Sequence, residues 1–139
     1  MRKISRKGLI KKNWELCRQI KFALVGKRCE LCRSTQGIQV DHCFSRNNKK
    51  LFYAIKNLTV LCESCHSHKT YRRHSMDLNV YEHVRNREGD EQFAFMRRID
   101  EGLTAFPEWQ NMSYHMELHE DLKKALDNAK NINRAEEAN

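Results

Sequence analysis

Two Cys-x-x-Cys pairs enclose a run of polar residues that can bind a metal ion or a proton. The first pair is Cys29 and Cys32, and the second is Cys62 and Cys65. Four thiolates in two such pairs can close a tetrahedral site, which is the geometry that a structural zinc ion prefers. The spacing therefore predicts one zinc ion that pins both turns of the chain. The alternative is two unrelated pairs that are redox-active.

The residues between and just after the cysteine pairs carry harder donor atoms. They are Asp41, His42, Asn57 and His66. Carboxylate and imidazole groups can bind a divalent cation, and a neutral imidazole can accept a proton near pH 7. The stretch is therefore predicted to hold two sites, one that fixes the fold and one that does chemistry.

Charge favours a polyanionic partner, with nucleic acid first. The chain has 139 residues and a formal net charge of +8. Residues 1–28 contain ten Lys or Arg and one acid, whereas residues 101–139 contain eight acids and four bases. We therefore expect the N-terminal region to face phosphates and the C-terminal region to face water or protein.

The sequence shows neither a secretory signal nor a membrane span. The basic start is not followed by an apolar run of the required length. No stretch approaches the roughly 20 apolar residues of a spanning helix. We expect a cytoplasmic protein, in which six cysteines serve metal binding rather than disulfides.

Hydrophobic periodicity predicts an α+β chain around these residues. Asn13 can cap the first helix and Gly26 can end it. The central predicted elements, in strand, loop, strand, helix order, form a ββα unit. The predicted elements are a helix over 13–25, strands over 37–42 and 58–61, and helices over 63–73, 77–87, 90–101 and 113–131.

The inner motif resembles that of the HNH nucleases, also called ββα-metal nucleases. In that family an Asp-His pair ends the first strand, as Asp41 and His42 would here. An asparagine leads into the helix and a metal ligand lies on it, and these match Asn57 and His66. Some relatives carry a further ligand where this chain has Thr70. The resemblance covers residues 29–70 and implies a DNA endonuclease.

The resemblance implies a role for each residue of the motif. His42 would be the general base that takes a proton from water, with its ring oriented by Asn57. Asp41 and His66 would hold one catalytic Mg²⁺ or Mn²⁺ ion against the scissile phosphate. Six basic side chains are expected to contact DNA: Arg46, Lys49, Lys50, Lys69, Lys11 and Lys12.

The expected architecture is a ββα-metal core with a structural four-cysteine zinc, preceded by one helix and followed by a mostly helical extension. This extension resembles that of the lambdoid phage Rap (NinG-type) recombination nucleases, which act on D-loops and Holliday junctions. The resemblance implies branched DNA as substrate, and a homodimer or a recombination protein as partner. The predicted parts are a basic arm (1–12), a zinc-containing nuclease domain (13–75), a helical extension (76–131) and a disordered tail (132–139).

Three other functions stay open at this stage. One is a sequence-tolerant or restriction-type HNH nuclease that cuts ordinary duplex DNA. Another is a zinc module that binds nucleic acid without cutting it. The third is a recombination mediator whose helices dock a partner protein.

Overall fold

Five helices and a two-stranded sheet make up the described part of the chain. The computed structural model describes residues 3–66, 73–102 and 105–138. The α+β class predicted from the sequence is confirmed. The helices are α1 (Arg6–Val25), α2 (described over 63–66), α3 (Arg73–Glu88), α4 (Asp90–Glu101) and α5 (Met112–Ala138), and the strands are β1 (Gln39–His42) and β2 (Leu58–Leu61). Two short 3-10 turns cover Ile55–Asn57 and Pro107–Gln110.

The chain divides into two compact units. One unit consists of Met1–Leu24 together with Ala105–Asn139, and the other is Val25–Thr104. We call them the terminal unit and the central unit. None of the described helices combines the length and the apolar character that crossing a bilayer requires.

The central unit is built on an antiparallel hairpin. In its register Gln39 lies opposite Leu61 and His42 lies opposite Leu58. All residues of β2 are buried, while β1 alternates between partly exposed and buried positions. The predicted bounds of β2 are confirmed. The first strand begins at Gln39 rather than at 37, because Gly37 has a φ of 58° and cannot belong to an extended strand.

Aromatic rings join the hairpin to the helices that follow. The ring of Phe44, just after β1, lies 5.4 Å from that of Tyr81 and 5.3 Å from that of Phe93. Phe93 and Met96 are buried on α4. Because these contacts connect β1, α3 and α4, they form the core of the central unit.

In the terminal unit α1 begins earlier than predicted. Asn13 is fully buried in the middle of the helix and does not cap it. Its Nδ2 donates to the carbonyl of His115 at 3.0 Å, and its Oδ1 lies 2.8 Å from Nδ1 of His119. The cap is Ser5, whose Oγ accepts the backbone N–H of Gly8 at 3.0 Å. Cys17 is buried on α1, and this burial raises its pKa to about 12.

Other helix bounds also differ from the prediction. The third helix starts at Arg73, so Asp77 lies inside it and does not begin it. The last helix continues to Ala138, although its acidic end was predicted to be disordered after 131. Its inward face includes Leu122 and Ala129. Helix length here follows from this packed stripe rather than from local charge.

A buried carboxylate ties the first Cys-x-x-Cys turn to β2 and α3. The Glu30 side chain is 7% exposed. Its Oε2 accepts the backbone N–H of Val60 at 2.6 Å. Its Oε1 lies 2.7 Å from Nη1 of Arg87 and 3.0 Å from Nε2 of His83. Arg87 also donates to the carbonyl of Lys56 at 2.9 Å, so this one arginine links α3 to the first cysteine turn and to the 3-10 turn before β2.

Removing the arginine should destabilise the central unit. Arg87→Ala leaves the Glu30 charge without its main counter-charge, which we expect to lower the free energy of unfolding by about 3 kcal/mol. Arg97→Ala is the control, because Arg97 pairs with Glu101 on an exposed surface and should cost at most about 0.5 kcal/mol. Urea unfolding measures both. Equal midpoints for the two variants would contradict this role of Glu30.

Candidate metal and catalytic site

The four paired cysteines converge on one point in the central unit. Their Sγ atoms all lie within 4.8 Å of one another, and those of Cys32 and Cys62 are 3.5 Å apart. Sulfur atoms bound tetrahedrally at about 2.3 Å from zinc would be roughly 3.8 Å apart. The donor atoms and their spacing therefore fit a zinc ion, and the cluster could hold one.

Backbone amides of the two turns point at the sulfur atoms. The N–H of Cys32 lies 3.5 Å from Sγ of Cys29, and that of Cys65 lies 3.4 Å from Sγ of Cys62. Burial works to raise the pKa of Cys29, but backbone N–H groups outweigh it and lower the pKa to about 7. Burial and the neighbouring thiols raise the pKa of Cys65. Four thiolates this close together repel one another, so they need a cation between them.

Asp41 and His66 meet across the junction of strand and helix. Asp41 lies on the partly exposed side of β1, and His66 lies on α2. Oδ1 of Asp41 and Nε2 of His66 are 3.8 Å apart, and the two side chains are 21% and 35% exposed. This distance is too long for a hydrogen bond. Two ligands of one cation with bonds of about 2.1 Å lie roughly 3.0 to 4.2 Å apart, so the pair can bind a hard cation.

His42 ends β1 with its ring on the buried side. The residue is 7% exposed, and its ring centroid lies 5.0 Å from that of Phe52. Nε2 of His42 lies 3.0 Å from the carbonyl oxygen of Phe52. A carbonyl can only accept, so this contact places the proton on Nε2 and the lone pair on Nδ1. That tautomer is the one in which Nδ1 can act as a base.

Asn57 holds the loop that supplies this carbonyl. It is fully buried at the end of the 3-10 turn. Its Oδ1 accepts the N–H of Phe44 at 2.8 Å, and its Nδ2 donates to the carbonyls of Phe44 and Leu51 at 3.2 and 3.3 Å. These side-chain bonds do not reach the His42 ring, while the Asn57 carbonyl accepts the N–H of Cys43, the residue after His42, at 2.7 Å. Orientation of His42 by Asn57 stays a prediction. Asn57 instead fixes Leu51, and through it the next carbonyl, that of Phe52.

The basic residues predicted to contact DNA fall on both units. Arg46 and Lys50 are exposed on the loop after β1, and Lys11 and Lys12 are exposed on α1. Lys49 is half-buried, with Nζ 5.0 Å from the Phe52 ring centroid, and burial and Arg46 lower its pKa. Lys69 and Thr70 lie outside the described residues.

The central unit thus combines a strand that ends in Asp-His, a buried asparagine, a helix histidine and a four-cysteine cluster. Residues 29–72 match the family model of the HNH endonucleases. The predicted HNH resemblance is confirmed for this stretch, which we call the HNH domain. No significant match was found among curated proteins or among solved structures. The resemblance to the Rap nucleases therefore stays a prediction.

The sequence did not predict the polar contacts that hold the HNH domain together. Glu30 lies between two cysteines, where it reads as an exposed acid, and its partners His83 and Arg87 are far along the chain. The role of the Phe52 carbonyl cannot be predicted from residue type, because every residue has a backbone carbonyl. An acid enclosed in a short metal-binding turn was the one local signal available.

Loss of one cysteine should remove the metal and the fold of the central unit together. Cys62→Ser should give unstable or insoluble protein without bound zinc, because the ion substitutes for a larger core. Cys17→Ala is the control, since that buried thiol belongs to the terminal unit and is not one of the four clustered cysteines, so the substitution should leave the metal content unchanged. Metal analysis and thermal unfolding test this. A zinc-free parent, or a Cys62→Ser variant as heat-stable as the parent, would refute it.

Proposed function

We propose that the protein is a metal-dependent endonuclease that hydrolyses phosphodiester bonds in DNA. The observation that carries this proposal is the approach of Asp41 to His66 at 3.8 Å within a domain that matches the HNH endonucleases. A zinc cluster for structure alone would not need this pair. A net charge of +8 supports a nucleic-acid substrate.

In this proposal His42 is the general base. With its proton fixed on Nε2 by the carbonyl of Phe52, Nδ1 takes a proton from the attacking water. Asn57 acts as a positioning residue, because it holds the loop that presents this carbonyl. The imidazole is packed against Phe52, so its orientation is set before substrate binds.

Asp41 and His66 are the proposed ligands of the catalytic cation. Their donor set is one carboxylate and one imidazole, which leaves the remaining positions to water and phosphate and suits Mg²⁺ or Mn²⁺. When bound, such an ion would stabilise charge on the scissile phosphate and on the leaving oxygen. The protein's part is to hold both ligands on the rigid junction of β1 and α2.

Substitution of the proposed base should separate binding from cutting. His42→Ala should lower nicking of supercoiled plasmid by at least about 100-fold while DNA affinity persists, because the base acts on water. Asp41→Asn and His66→Ala should instead raise the Mg²⁺ or Mn²⁺ concentration needed for half-maximal nicking.

The pH profile provides the control for this assignment. A His42→Ala variant that cuts at the parent rate between about pH 6 and 8, where a histidine titrates, would show that His42 is not the base. A parent that cuts no DNA with either ion would favour the non-catalytic zinc module.

We further propose that the substrate is branched or distorted DNA. Exposed charge on Arg46 and Lys50 suits contact with phosphates rather than with bases. The sequence shows no helix-turn-helix reader of base edges. A two-fold dimer, or a recombination protein as partner, would fit a junction, since a dimer sets two sites against two strands.

Cleavage of matched substrates should rank branched DNA first. We expect a four-way junction and a D-loop to be cut at least about 10-fold faster than linear duplex at equal salt, with binding that weakens steeply as salt rises. Equal rates, or a strict sequence requirement, would leave an HNH nuclease that acts on ordinary duplex DNA.

A further inference from the structure

A basic pocket lies beside the first Cys-x-x-Cys turn, and the proposed hydrolysis does not use it. The pocket measures about 430 Å³. Its cations are Lys27, Arg28 and Arg33, and all three side chains are exposed. The rest of its lining consists of Val25, Gly26, Cys29, Glu30 and Thr35.

The one acid in this lining does not cancel the positive charge. Glu30 is buried and already engaged by Arg87 and His83 at 2.7 and 3.0 Å. Arg28 and Arg33, by contrast, form no ion pair within the part of the chain that the structure describes. The pocket therefore presents an excess of positive charge, which favours an anionic ligand.

The backbone of Arg33 points to a role for its side chain. Its φ of 66° is in the left-handed region, where glycine fits freely and a residue with a Cβ is disfavoured. The turn requires this conformation, since the N–H of Arg33 donates to the carbonyl of Cys29 at 2.9 Å. Glycine would suit the turn better than arginine. A side chain kept against this preference is typical of a functional position.

We infer that Lys27, Arg28 and Arg33 form a phosphate-binding pocket that holds the backbone of the DNA at the N-terminal end of the HNH domain. The inference rests on the proposed function in that DNA is the ligand. Guanidinium groups bind phosphate oxygens through paired N–H donors, and such contacts position a strand without reading its sequence. Arg33 directly follows Cys32, a member of the four-cysteine cluster, so a metal ion bound there would fix the turn that carries Arg33.

Arg33→Gly tests the inference, because it relieves the backbone and removes the ligand at once. Its melting temperature and metal content should equal or exceed those of the parent. Its affinity for a labelled duplex should fall several-fold, and the slope of log Kd against log salt should fall by about 1. Arg28→Ala with Arg33→Gly should lower the slope by about 2. All binding is measured by anisotropy in a His42→Ala background, in which the DNA stays uncut.

Arg97→Ala is the matched control, since it also removes one exposed positive charge of the central unit but lies on α4, outside the pocket lining. It should leave the salt slope unchanged. If Arg33→Gly binds the duplex with the same affinity and the same salt slope as the parent, the pocket is overturned, whether or not the protein cuts DNA. If the melting temperature of Arg33→Gly is lower than that of the parent, the strain argument fails. Arg28→Ala alone then tests the pocket, and an unchanged DNA affinity of that variant overturns it. Weaker binding of these variants with no cleavage by the parent would support the pocket and refute the nuclease.

Discussion

The central unit depends on the burial of one carboxylate. Glu30 can keep its charge away from water only while Arg87 and His83 lie against it and the N–H of Val60 points at it. These partners come from a helix and a strand, so satisfying the charge brings the metal-binding turn, the hairpin and α3 together. Because each strand has only four residues, directional contacts of this kind and a four-cysteine cluster take over part of the work of a hydrophobic core.

The proposed base, His42, is also held in place by directional polar contacts. Asn57 is fully buried, yet its amide satisfies backbone groups of Phe44 and Leu51 rather than any catalytic side chain. The carbonyl next to Leu51 then selects the tautomer of His42. The buried amide thus orients the loop, and the loop orients the imidazole. Rigid supports of this type keep a reacting nitrogen in place without adding groups that would compete for the proton.

Local patterns in the sequence predict the parts whose partners are near in the chain or repeat with a fixed period. The cysteine spacing, the run of β2 and the helix over 90–101 are of this kind. Asn13 was misread because it is a typical capping residue, whereas its partner His115 is 102 positions away. The engagement of Glu30 escaped for the same reason. No local rule states which distant group will pair with a buried polar atom, so these contacts could not be predicted from the sequence.

The division of the chain has a consequence for synthesis on the ribosome. The terminal unit requires α1 and α5, joined by contacts such as those of Asn13 with His115 and of Asn133 with the carbonyl of Ala23. Helix α1 emerges before the central unit but must wait for α5 to be translated. The central unit is complete much sooner, so its cysteine cluster, which could hold a metal ion, can assemble while α1 is still without a partner. Domains generally fold in the order in which they emerge, and here α1 is made before the central unit but is buried after it.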